Sequence, residues 1–571
     1  MRVIFFGFII LLCHSFKAQT PLLIPDTIVG PNYFLAMHED SIQFFPGKKS
    51  YTYAYNQYNY LGPTLIFNKG SHVNITVNNQ INDTTTVHWH GIHLPAMMDG
   101  GPHTAIMPGA IWNPQYTIMD HAATYWYHPH MHMKTAVQAI KGAVGMIIVR
   151  DQEEAALHLP RKYGVDDFPV IVQSQQYDGN NQAMPLGMQD STILVNGARA
   201  NYGYSVYGNF PAQMVRMRLL NASGERVFNF GFSGNKQFYQ IASDGGLLNT
   251  PYLTTRVRLA PGERAEILLD LNGMSAQSLY LMSYASELSM GTQGGPTMPM
   301  PSWSPPMNSP INGIDFNVMK INVTGVTSNP VISVPSILAN NVPYDINQVN
   351  ITRVIRFSAD SIMVMDGPFY FNGNSFDMMR IDYEIPLDNI EIWRLVNETM
   401  VAHPFHIHDV QFYLIDRSGN PPGPEELGRK DVVLVPPQDS VTFITKFEDF
   451  ADSTMPYMFH CHILMHEDAG MMGQFIVKGN SAMAVKEILS DDFKVKIYPN
   501  PVSEYLVLDV SSFSNKGKIC MKIVDILGHI VNEEILLQGK NVIAMNNLSN
   551  GIYTLIITRE GKQLMQKIIV N

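Results

Sequence analysis

The sequence has very little cysteine, because its 571 residues contain only Cys13, Cys461 and Cys520. Cys13 lies in an N-terminal segment that we predict to be removed, and the other two cysteines lie in different segments of the chain. We therefore predict no disulfide framework, although the N-terminal segment indicates export. An exported chain that keeps one thiol in a histidine-rich stretch is typical of a metal-binding protein.

Charge and long apolar runs are also scarce. Charged residues make up 15% of the chain and the net charge is −11, which argues against nucleic-acid binding and leaves no basic patch for anionic lipid.

The apolar run at residues 3–12 follows Met1-Arg2, so we predict a secretory signal over residues 1–19. This run is too short to anchor the protein, and we predict no transmembrane anchor elsewhere. A lipoprotein signal ending at Cys13 is the alternative, but Leu12 stands where a small residue is expected.

Helical periodicity is rare along the chain. The 42 glycines, the 36 prolines and an aromatic content of 10% favour β-strands joined by many turns. The length predicts about three to four domains. We therefore predict an all-β protein with three large domains and a small C-terminal β-sandwich. The predicted boundaries are residues 20–150, 151–342 and 343–478 for the large domains, 479–492 for a linker and 493–571 for the C-terminal sandwich.

The middle segment lacks histidine, since none occurs between His158 and His403. We therefore predict that it positions its neighbours and holds no metal of its own. It does contain an insertion, residues 290–307, with four methionines and five prolines. This insertion is either a surface loop whose methionines are incidental or a docking site for cuprous ion, which soft thioethers select.

Ligand-type side chains are concentrated in one short stretch. On an extended backbone, His460 and His462 point to one face and Cys461 to the other. The Cys461 thiolate, the His466 imidazole and the Met471 thioether supply three ligands of a blue-copper centre, which needs a second histidine from elsewhere. The alternative is that the cysteine is a small buried hydrophobe and the histidines are ordinary core residues.

Three further motifs each place two histidines on either side of one residue. They are His88 and His90, His128 and His130, and His406 and His408. Both imidazoles of such a pair project from the same face of a strand and can bind adjacent metal ions. The last motif is preceded by His403, which supplies the missing ligand of the Cys461 site. The sequence thus predicts a mononuclear site at His403, Cys461, His466 and Met471, and a cluster at His88, His90, His128, His130, His406, His408, His460 and His462.

The motifs and their order resemble those of the multicopper oxidases, specifically the three-domain bacterial kind that includes copper-efflux oxidases, spore-coat laccases and bilirubin oxidases. The resemblance covers roughly residues 25–478 and implies three cupredoxin-like Greek-key β-sandwich domains. It also implies four copper ions, with a trinuclear cluster between the first and third domains. By this resemblance the mononuclear site holds type 1 copper, His88 and His406 hold type 2 copper, and the type 3 pair is held by His90, His128, His130, His408, His460 and His462.

The same resemblance gives two carboxylates a role in proton delivery. Asp99 falls on the family's acid beside the cluster, and Glu467 matches the second relay acid directly after a type 1 ligand. Either residue could instead be an ordinary loop carboxylate. Reducing O2 to two waters takes four electrons and four protons, and a buried acid can deliver protons if its pKa suits the operating pH. The family pattern assigns no copper to the neighbouring residues His93, His103, His121 and His132.

The sequence leaves the reductant open. Efflux-type members that oxidise Cu(I) have Asp and Met shortly before the third motif, where this chain has Thr399 and Val401. In contrast, residues 376–379 resemble the efflux-type segment near the type 1 site. The reductant is therefore either Cu(I) or a phenolic or other aromatic compound.

A second class of function is a surface protein that sequesters copper with little turnover. The complete set of twelve ligands favours the oxidase, because sequestration does not need a Cys461 site connected to a cluster. A two-domain copper nitrite reductase would form trimers and would lack the His-Cys-His pair beside a trinuclear cluster, so the sequence argues against it. We expect a monomer.

The C-terminal segment has alternating strands and tight turns, and it resembles the C-terminal sorting domain of the type IX secretion system. The resemblance implies that the type IX machinery is a partner, that the protein crosses the outer membrane, and that this domain is then removed. The protein would be released or held at the cell surface. A carbohydrate-binding or spacer sandwich is the alternative for the domain, and the periplasm is the alternative location.

Overall fold

The computed structural model describes residues 18–185, 189–200, 204–297, 309–361, 364, 367–479, 486–489, 493–502, 504–512, 518–559 and 562–570. Strands dominate this part of the chain, which confirms the predicted all-β class. Its α-helices are short: α1 (Thr135–Ile140), α2 (Gln152–Ala156) and α3 (Leu464–Asp468). No helix in the described ranges is long and apolar enough to cross a bilayer. The chain divides into two compact units, one ending at Val477 and one beginning at Lys478.

The first β-sandwich brings the first two histidine motifs side by side. The strands up to residue 150 are β1 (Ala18–Pro21), β2 (Thr27–Val29), β3 (Asn32–Ile42), β4 (Ser50–Tyr55), β5 (Thr64–Asn68), β6 (His72–Asn79), β7 (His88–His90), β8 (Ile111–Trp112), β9 (Gln115–Thr117), β10 (Ala123–His128) and β11 (Gly145–Arg150). One sheet has the order β2-β5-β11-β10-β7, and the other has the order β4-β3-β6-β8 with β9 also on β6. Because β7 and β10 are antiparallel, His88 lies opposite His128.

The middle β-sandwich has the largest sheets. Its strands are β12 (Asp167–Tyr177), β13 (Ala183–Met184), β14 (Thr192–Val195), β15 (Ala198–Arg199), β16 (Tyr204–Pro211), β17 (Met214–Asn221), β18 (Phe228–Phe232), β19 (Phe238–Ser243), β20 (Gly246–Thr254), β21 (Val257–Leu259), β22 (Arg264–Asp270), β23 (Ser278–Ser283) and β24 (Phe316–Thr324). The orders are β1-β16-β24-β23-β18-β21 and β15-β14-β12-β17-β22-β19-β20, with β13 on β12.

The strand β1 departs from the predicted boundaries. It pairs in parallel with β16, so residues assigned to the first domain belong to a sheet of the middle one. Ala18 and Gln19, the last residues of the predicted signal segment, are part of this strand, and residues 1–17 lie outside the described residues. Such long-range pairing satisfies backbone hydrogen bonds and leaves no local sequence pattern that could reveal it.

The third β-sandwich carries the remaining motifs. Its strands are β25 (Ile351–Ala359), β26 (Phe369–Phe371), β27 (Tyr383–Pro386), β28 (Ile390–Asn397), β29 (His403–Ile407), β30 (Phe412–Arg417), β31 (Val432–Val435), β32 (Ser440–Lys446), β33 (Asp452–Cys461) and β34 (Met472–Lys478). The sheet orders are β26-β25-β28-β32-β30 and β27-β34-β33-β29-β31. Buried aromatic side chains, among them Trp393, Phe405 and Phe443, fill the space between the sheets. The adjacent strands β29 and β33 hold the third and fourth motifs together.

The C-terminal unit is a separate small sandwich. Its strands are β35 (Lys486–Leu489), β36 (Phe493–Tyr498), β37 (Tyr505–Ser512), β38 (Ile519–Val524), β39 (Ile530–Leu536), β40 (Gly539–Ala544), β41 (Gly551–Arg559) and β42 (Lys562–Val570). They form sheets β35-β36-β37-β40 and β39-β38-β41-β42 around a core that includes Leu508, Met521 and Leu555. β35 lies within residues 479–492, which we predicted to be a linker, and it pairs with β36. The sheet therefore begins earlier than the composition indicated.

A buried arginine of the middle sandwich forms an ion pair within its own domain and also bonds to the first sandwich. The Arg218 guanidinium donates from Nε and Nη2 to the two carboxylate oxygens of Asp167, at 2.8 and 3.0 Å, and from Nη1 to Thr124 Oγ1 at 3.1 Å. All three residues are buried. Removing one partner from a buried charged pair is strongly destabilising, because the other charge is left uncompensated. These contacts therefore fix the first sandwich relative to the middle one.

Candidate metal centres

The strand β33 ends between two groups of ligand-type side chains. β33 pairs with β29 so that Cys461 lies opposite Phe405 and His460 lies opposite His406. Cys461 belongs to the hydrophobic core of the third sandwich, whereas the ring of His460 packs against the ring of His406, 5.3 Å between centroids. Successive side chains of one strand therefore face two different sites.

The Cys461 sulfur lies between two imidazoles. Cys461 Sγ is 3.5 Å from His403 Nδ1 and 3.6 Å from His466 Nδ1, and all three side chains are buried. His466 lies on the helix α3, which begins three residues after Cys461. The helical turn brings the chain back to the strand, so that Met471 donates its N–H to the His466 carbonyl (2.8 Å) and accepts from the Cys461 N–H (3.0 Å). Met471 is fully buried in the same core.

Eight further histidines converge where the first and third sandwiches meet. Each is at most 1% exposed to solvent. They come from β7, from the end of β10 and the residues after it, from β29 and the residue after it, and from the end of β33 and the residue after it. The eight are the predicted cluster residues His88, His90, His128, His130, His406, His408, His460 and His462.

One group of three histidines has converging ring nitrogens. The Nε2 atoms of His130, His408 and His460 lie 3.1 to 3.3 Å from one another. Three ring nitrogens cannot all satisfy one another by sharing protons at these distances. A metal ion bound by the three lone pairs would satisfy them together.

A second group lies beside the first. His90 Nδ1 is 3.3 Å from His128 Nε2, and the ring of His462 lies 5.0 Å from that of His90 and 5.4 Å from that of His128. Both ring nitrogens of His462 are buried and find no hydrogen-bond partner within the described ranges. An imidazole in this condition has its full capacity available for a metal ion.

His88 and His406 share a third arrangement. Their Nδ1 atoms lie 2.9 Å from the Asp99 carbonyl and 2.8 Å from the Asp431 carbonyl, respectively. A carbonyl oxygen only accepts, so each Nδ1 carries the proton and each Nε2 has a free lone pair. Both Nε2 atoms are buried without a hydrogen-bond partner among the residues that the structure describes.

Both predicted acids touch the cluster histidines. Asp99 Oδ2 lies 2.8 Å from His408 Nδ1, and the Glu467 carboxylate oxygens lie 3.2 Å from His460 Nδ1 and 3.4 Å from His130 Nδ1. Both acids are at most 2% exposed, and Glu467 lies on α3. Burial would raise the pKa of Glu467, but His130 and His460 outweigh it and hold the pKa below its usual value.

Burial favours the neutral, metal-binding form of several of these histidines. Burial lowers the pKa of His130, His462 and His466 to about 3 each. It also raises the pKa of the Cys461 thiol, so a thiolate there needs a cation beside it. Neutral imidazoles that are densely packed, with lone pairs directed inward, fit copper or another imidazole-binding metal. The donor set therefore fits the copper ions that the sequence predicts.

Two functional contacts were missed by sequence reasoning. Asp431 lies directly before β31, and its Oδ1 is 3.1 Å from His90 Nε2. Thr399 was noted only as a departure from the efflux-type pattern, yet its hydroxyl lies 2.9 Å from His403 Nε2. No spacing rule connects either residue with its histidine, since each contact depends on how separate segments pack.

The four neighbouring histidines have partners outside the two sites. The partners are Asp409 Oδ1 for His93 Nδ1 (2.8 Å), Gln474 Oε1 for His103 Nε2 (2.8 Å), Lys69 Nζ for His121 Nδ1 (3.4 Å) and the Phe376 ring for His132 (5.0 Å). Residues 298–307 of the methionine-rich insertion lie outside the described residues, so its role remains a prediction.

Comparison with known proteins identifies the family. Residues 37–154, 166–298 and 343–481 each match the family described as Multicopper oxidase. Multicopper oxidase mco of Staphylococcus haemolyticus is 32% identical over 457 residues, which cover 78% of this chain and 88% of that protein. This chain belongs to the multicopper oxidase family. The oxidase also carries, at residues 496–571, a match to the Secretion system C-terminal sorting domain.

Solved structures agree with this identification. A laccase-like multicopper oxidase, CueO, from a lignin-degrading Ochrobactrum species superposes with a TM-score of 0.70 at 29% identity, covering 80% of this chain and all of that one. The relatives also include the cell division protein FtsP of Proteus mirabilis, which is 31% identical over 72% of this chain and 82% of that protein. The relatives thus include both a multicopper oxidase and a cell division protein, so family membership alone does not assign an activity to this chain.

Proposed function

We propose that this multicopper oxidase binds four copper ions and couples one-electron oxidation of a small reductant to the four-electron reduction of O2 to water. The observation that carries this proposal is the end of β33. There the thiol of Cys461 lies between two imidazoles, and the adjacent His460 and His462 lie in the histidine cluster. The few bonds of backbone between these side chains provide a short path for electrons from one site to the other.

The mononuclear site is formed by His403, Cys461, His466 and Met471. These nitrogen, thiol and thioether donors fit a blue-copper centre, and the four side chains would hold the type 1 ion. The side chains are enclosed in the aromatic core of the third sandwich, where Phe369 packs against the rings of His403 and His466 at 4.7 and 4.5 Å between centroids. A dry, rigid pocket of this kind limits rearrangement when the charge of the site changes.

The cluster is formed by the eight remaining histidines. His88 and His406 would hold the type 2 ion, because a carbonyl fixes each ring at Nδ1 and leaves a free Nε2. The trio of His130, His408 and His460 would hold one ion of the type 3 pair, and the trio of His90, His128 and His462 would hold the other. Copper bound at these sites would supply the one-electron redox chemistry that the reduction of O2 requires.

Asp99 and Glu467 lie against the histidines of this cluster and are its candidate proton-relay acids. Asp99 bonds His408 through Oδ2 at 2.8 Å, and Glu467 lies within 3.4 Å of the Nδ1 atoms of two cluster histidines. Each carboxylate orients the rings that it touches and can pass a proton toward the space between them. Their burial keeps bulk water away from that space.

Electrons enter from the side of His466. Its side chain is 5% exposed, whereas those of His403, Cys461 and Met471 are 0% exposed. The far edge of His403 is covered by Thr399, a neutral residue that offers no charge to a cuprous ion. These observations support a phenolic or other aromatic reductant that contacts the His466 edge.

Cuprous ion remains the second candidate. Met379 is 90% exposed and Met133 is 70% exposed, and both lie on segments that meet at the contact of His132 with Phe376. Exposed thioethers bind Cu(I) in preference to harder cations. The backbone N–H of Phe376 donates to the Gly470 carbonyl at 3.0 Å, so this surface adjoins the mononuclear site.

The C-terminal sorting domain supports export by the type IX route. We infer that residues 1–19 direct the chain across the inner membrane and that residues 493–571 direct it across the outer membrane. The mature oxidase is then released or held at the cell surface, where O2 and small reductants are available.

The test combines copper analysis with oxygen consumption on the copper-loaded protein. We expect four coppers per chain, a blue absorption band, and O2 consumption with a dimethoxyphenol or with Cu(I). Cys461→Ser should lose the blue band and the consumption of O2 while keeping the cluster coppers. A wild-type protein that binds four coppers but does not reoxidise after reduction would instead be a copper store.

A further inference from the structure

Arg264, at the start of β22 in the middle sandwich, links three domains. Its Nη1 and Nη2 donate to the two carboxylate oxygens of Asp431, in the third sandwich, at 2.6 Å each. Its Nε donates to the carbonyl of Thr124, in the first sandwich, at 2.9 Å. Arg264 and Asp431 are both fully buried. A single guanidinium therefore fixes Asp431 relative to both neighbouring domains.

Asp431 in turn contacts two cluster histidines on its other side. Its Oδ1 lies 3.1 Å from His90 Nε2, and its carbonyl accepts from His406 Nδ1 at 2.8 Å. Proton donation from His90 Nε2 to the carboxylate leaves Nδ1 with a lone pair, and this Nδ1 faces His128 Nε2 at 3.3 Å. Asp431 thus selects the tautomer of both His90 and His406.

The carboxylate of Asp431 needs a permanent partner. A buried carboxylate without a compensating charge is expensive and would take up a proton or move toward water. A guanidinium matches both oxygens at once, whereas a lysine ammonium offers a single point of contact. The pair is also tightly packed, because a methyl group on Gly91, the residue after His90, would lie 2.4 Å from Asp431 Oδ2 and 2.7 Å from Arg264 Nη2.

The turn that precedes Arg264 reaches the cluster as well. Gly262 has a φ of +85°, and a methyl group there would lie 2.9 Å from His462 Cδ2. The close approach to the imidazole therefore requires glycine. The middle sandwich, which has no cluster histidine, contacts the cluster at His462 directly and at His90 through Asp431.

We propose that Arg264 is a positioning residue of the trinuclear cluster, holding Asp431 so that His90 and His406 present the correct ring nitrogens to copper. This inference rests on the proposed function, because it requires that the eight histidines bind copper. It gives the middle domain a specific task in assembling a site whose ligands all come from the other two domains. An ordinary interdomain ion pair would not affect one copper site more than the other.

The test compares two conservative substitutions in copper-loaded protein. Arg264→Lys keeps a positive charge but loses the two-point contact with Asp431. Arg218→Lys is the matched control, because Arg218 is an equally buried arginine of the same domain that also bonds Thr124, and none of its hydrogen bonds to described residues goes to a histidine. A chelator titration follows the near-ultraviolet band of the coupled copper pair and the blue band of the mononuclear site.

We expect Arg264→Lys to release cluster copper at about tenfold lower chelator concentration than wild type, with the blue band retained as in wild type. In Arg218→Lys, the ratio of the two bands during the chelator titration should be the same as in wild type. The ratio of the two bands refers only to folded molecules, because the blue band requires an intact third sandwich. Asp431→Asn should show the same selective loss, and it serves as the second variant if Arg264→Lys yields no folded protein.

Three results would overturn the proposal. The first is a ratio of the two bands in Arg264→Lys that equals that of wild type. The second is a change of this ratio in Arg218→Lys as large as that in Arg264→Lys. The third, which applies if Arg264→Lys does not fold, is a ratio in Asp431→Asn that equals that of wild type. If the wild-type protein itself binds no cluster copper, the proposed function fails, and the inference fails with it. If wild type binds cluster copper and Arg264→Lys has the same ratio of the two bands as wild type, only the role of Arg264 is refuted.

Discussion

The hydroxyl of Thr399 should set part of the reduction potential of the mononuclear site. Thr399 is 1% exposed, and its Oγ1 lies 2.9 Å from His403 Nε2. Since His403 Nδ1 faces the Cys461 sulfur, Nε2 carries the proton and donates to the hydroxyl. The hydroxyl itself donates to Asn397 Oδ1 at 2.8 Å or to the Val401 carbonyl at 3.0 Å. Thr399→Val removes this acceptor while keeping the side-chain volume.

The magnitude follows from the burial of the imidazole. Leaving a buried N–H without a partner costs about 1–3 kcal/mol. Only the part of this free-energy cost that differs between the cuprous and cupric states changes the reduction potential. The cost is larger in the cupric state, because the higher charge polarises the N–H of His403 more strongly. A difference of about 1 kcal/mol corresponds to about 40 mV for a one-electron couple, so the potential should rise by that amount in Thr399→Val.

The assay is a potentiometric titration followed by the blue absorption at fixed pH. Thr399→Ser keeps a hydroxyl and should stay close to wild type. Thr445→Val is the matched control, because Thr445 is a buried threonine on β32 whose hydroxyl donates to the Gln411 carbonyl at 2.9 Å. A potential that falls or stays constant in Thr399→Val would refute the role given to this hydrogen bond.

Two further predictions concern the charged residues. Glu467→Gln should keep all four coppers but slow O2 consumption by about 10²-fold, because the amide orients the rings without delivering a proton; unchanged turnover would contradict this. Burial opposes the charge on His93, but Asp409 outweighs it and raises the pKa of His93 from 6.5 to about 10. The stability that this ion pair contributes is complete below about pH 6.5 and is lost as the pH rises to about 10. Raising the pH from about 7 to about 9 should therefore lower the unfolding temperature of copper-free wild type more than that of copper-free His93→Gln, as measured by thermal unfolding.

The strand at Cys461 shows how much of the site could be predicted. Alternation of side chains is a property of any extended backbone, so the opposite faces of Cys461 and His460 follow from sequence alone. The position of His466 does not follow in the same way, because the chain must turn back toward the sulfur, and it does so through the helix α3. A single helical turn leaves no periodic signal in so short a stretch.

The strands β1 and β35 illustrate the same limit at the level of the fold. Their residues pair with β16 and β36, respectively, and both contacts lie outside the domain limits expected from composition. The all-β class itself follows from turn residues, aromatics and the scarcity of helical periodicity. Which edge strand completes which sheet depends on backbone groups that remain free after the sheet has formed.

The sequence by itself determined the candidate metal-binding side chains and the all-β class, because ligand chemistry and strand alternation are local properties. Only the tertiary structure decided which ring nitrogen of each histidine faces inward. That choice depends on partners such as the Asp99 carbonyl, Asp431 and Thr399, which folding brings from distant segments. It also revealed Arg264, whose importance comes from the carboxylate that it holds and from no pattern in its own neighbourhood.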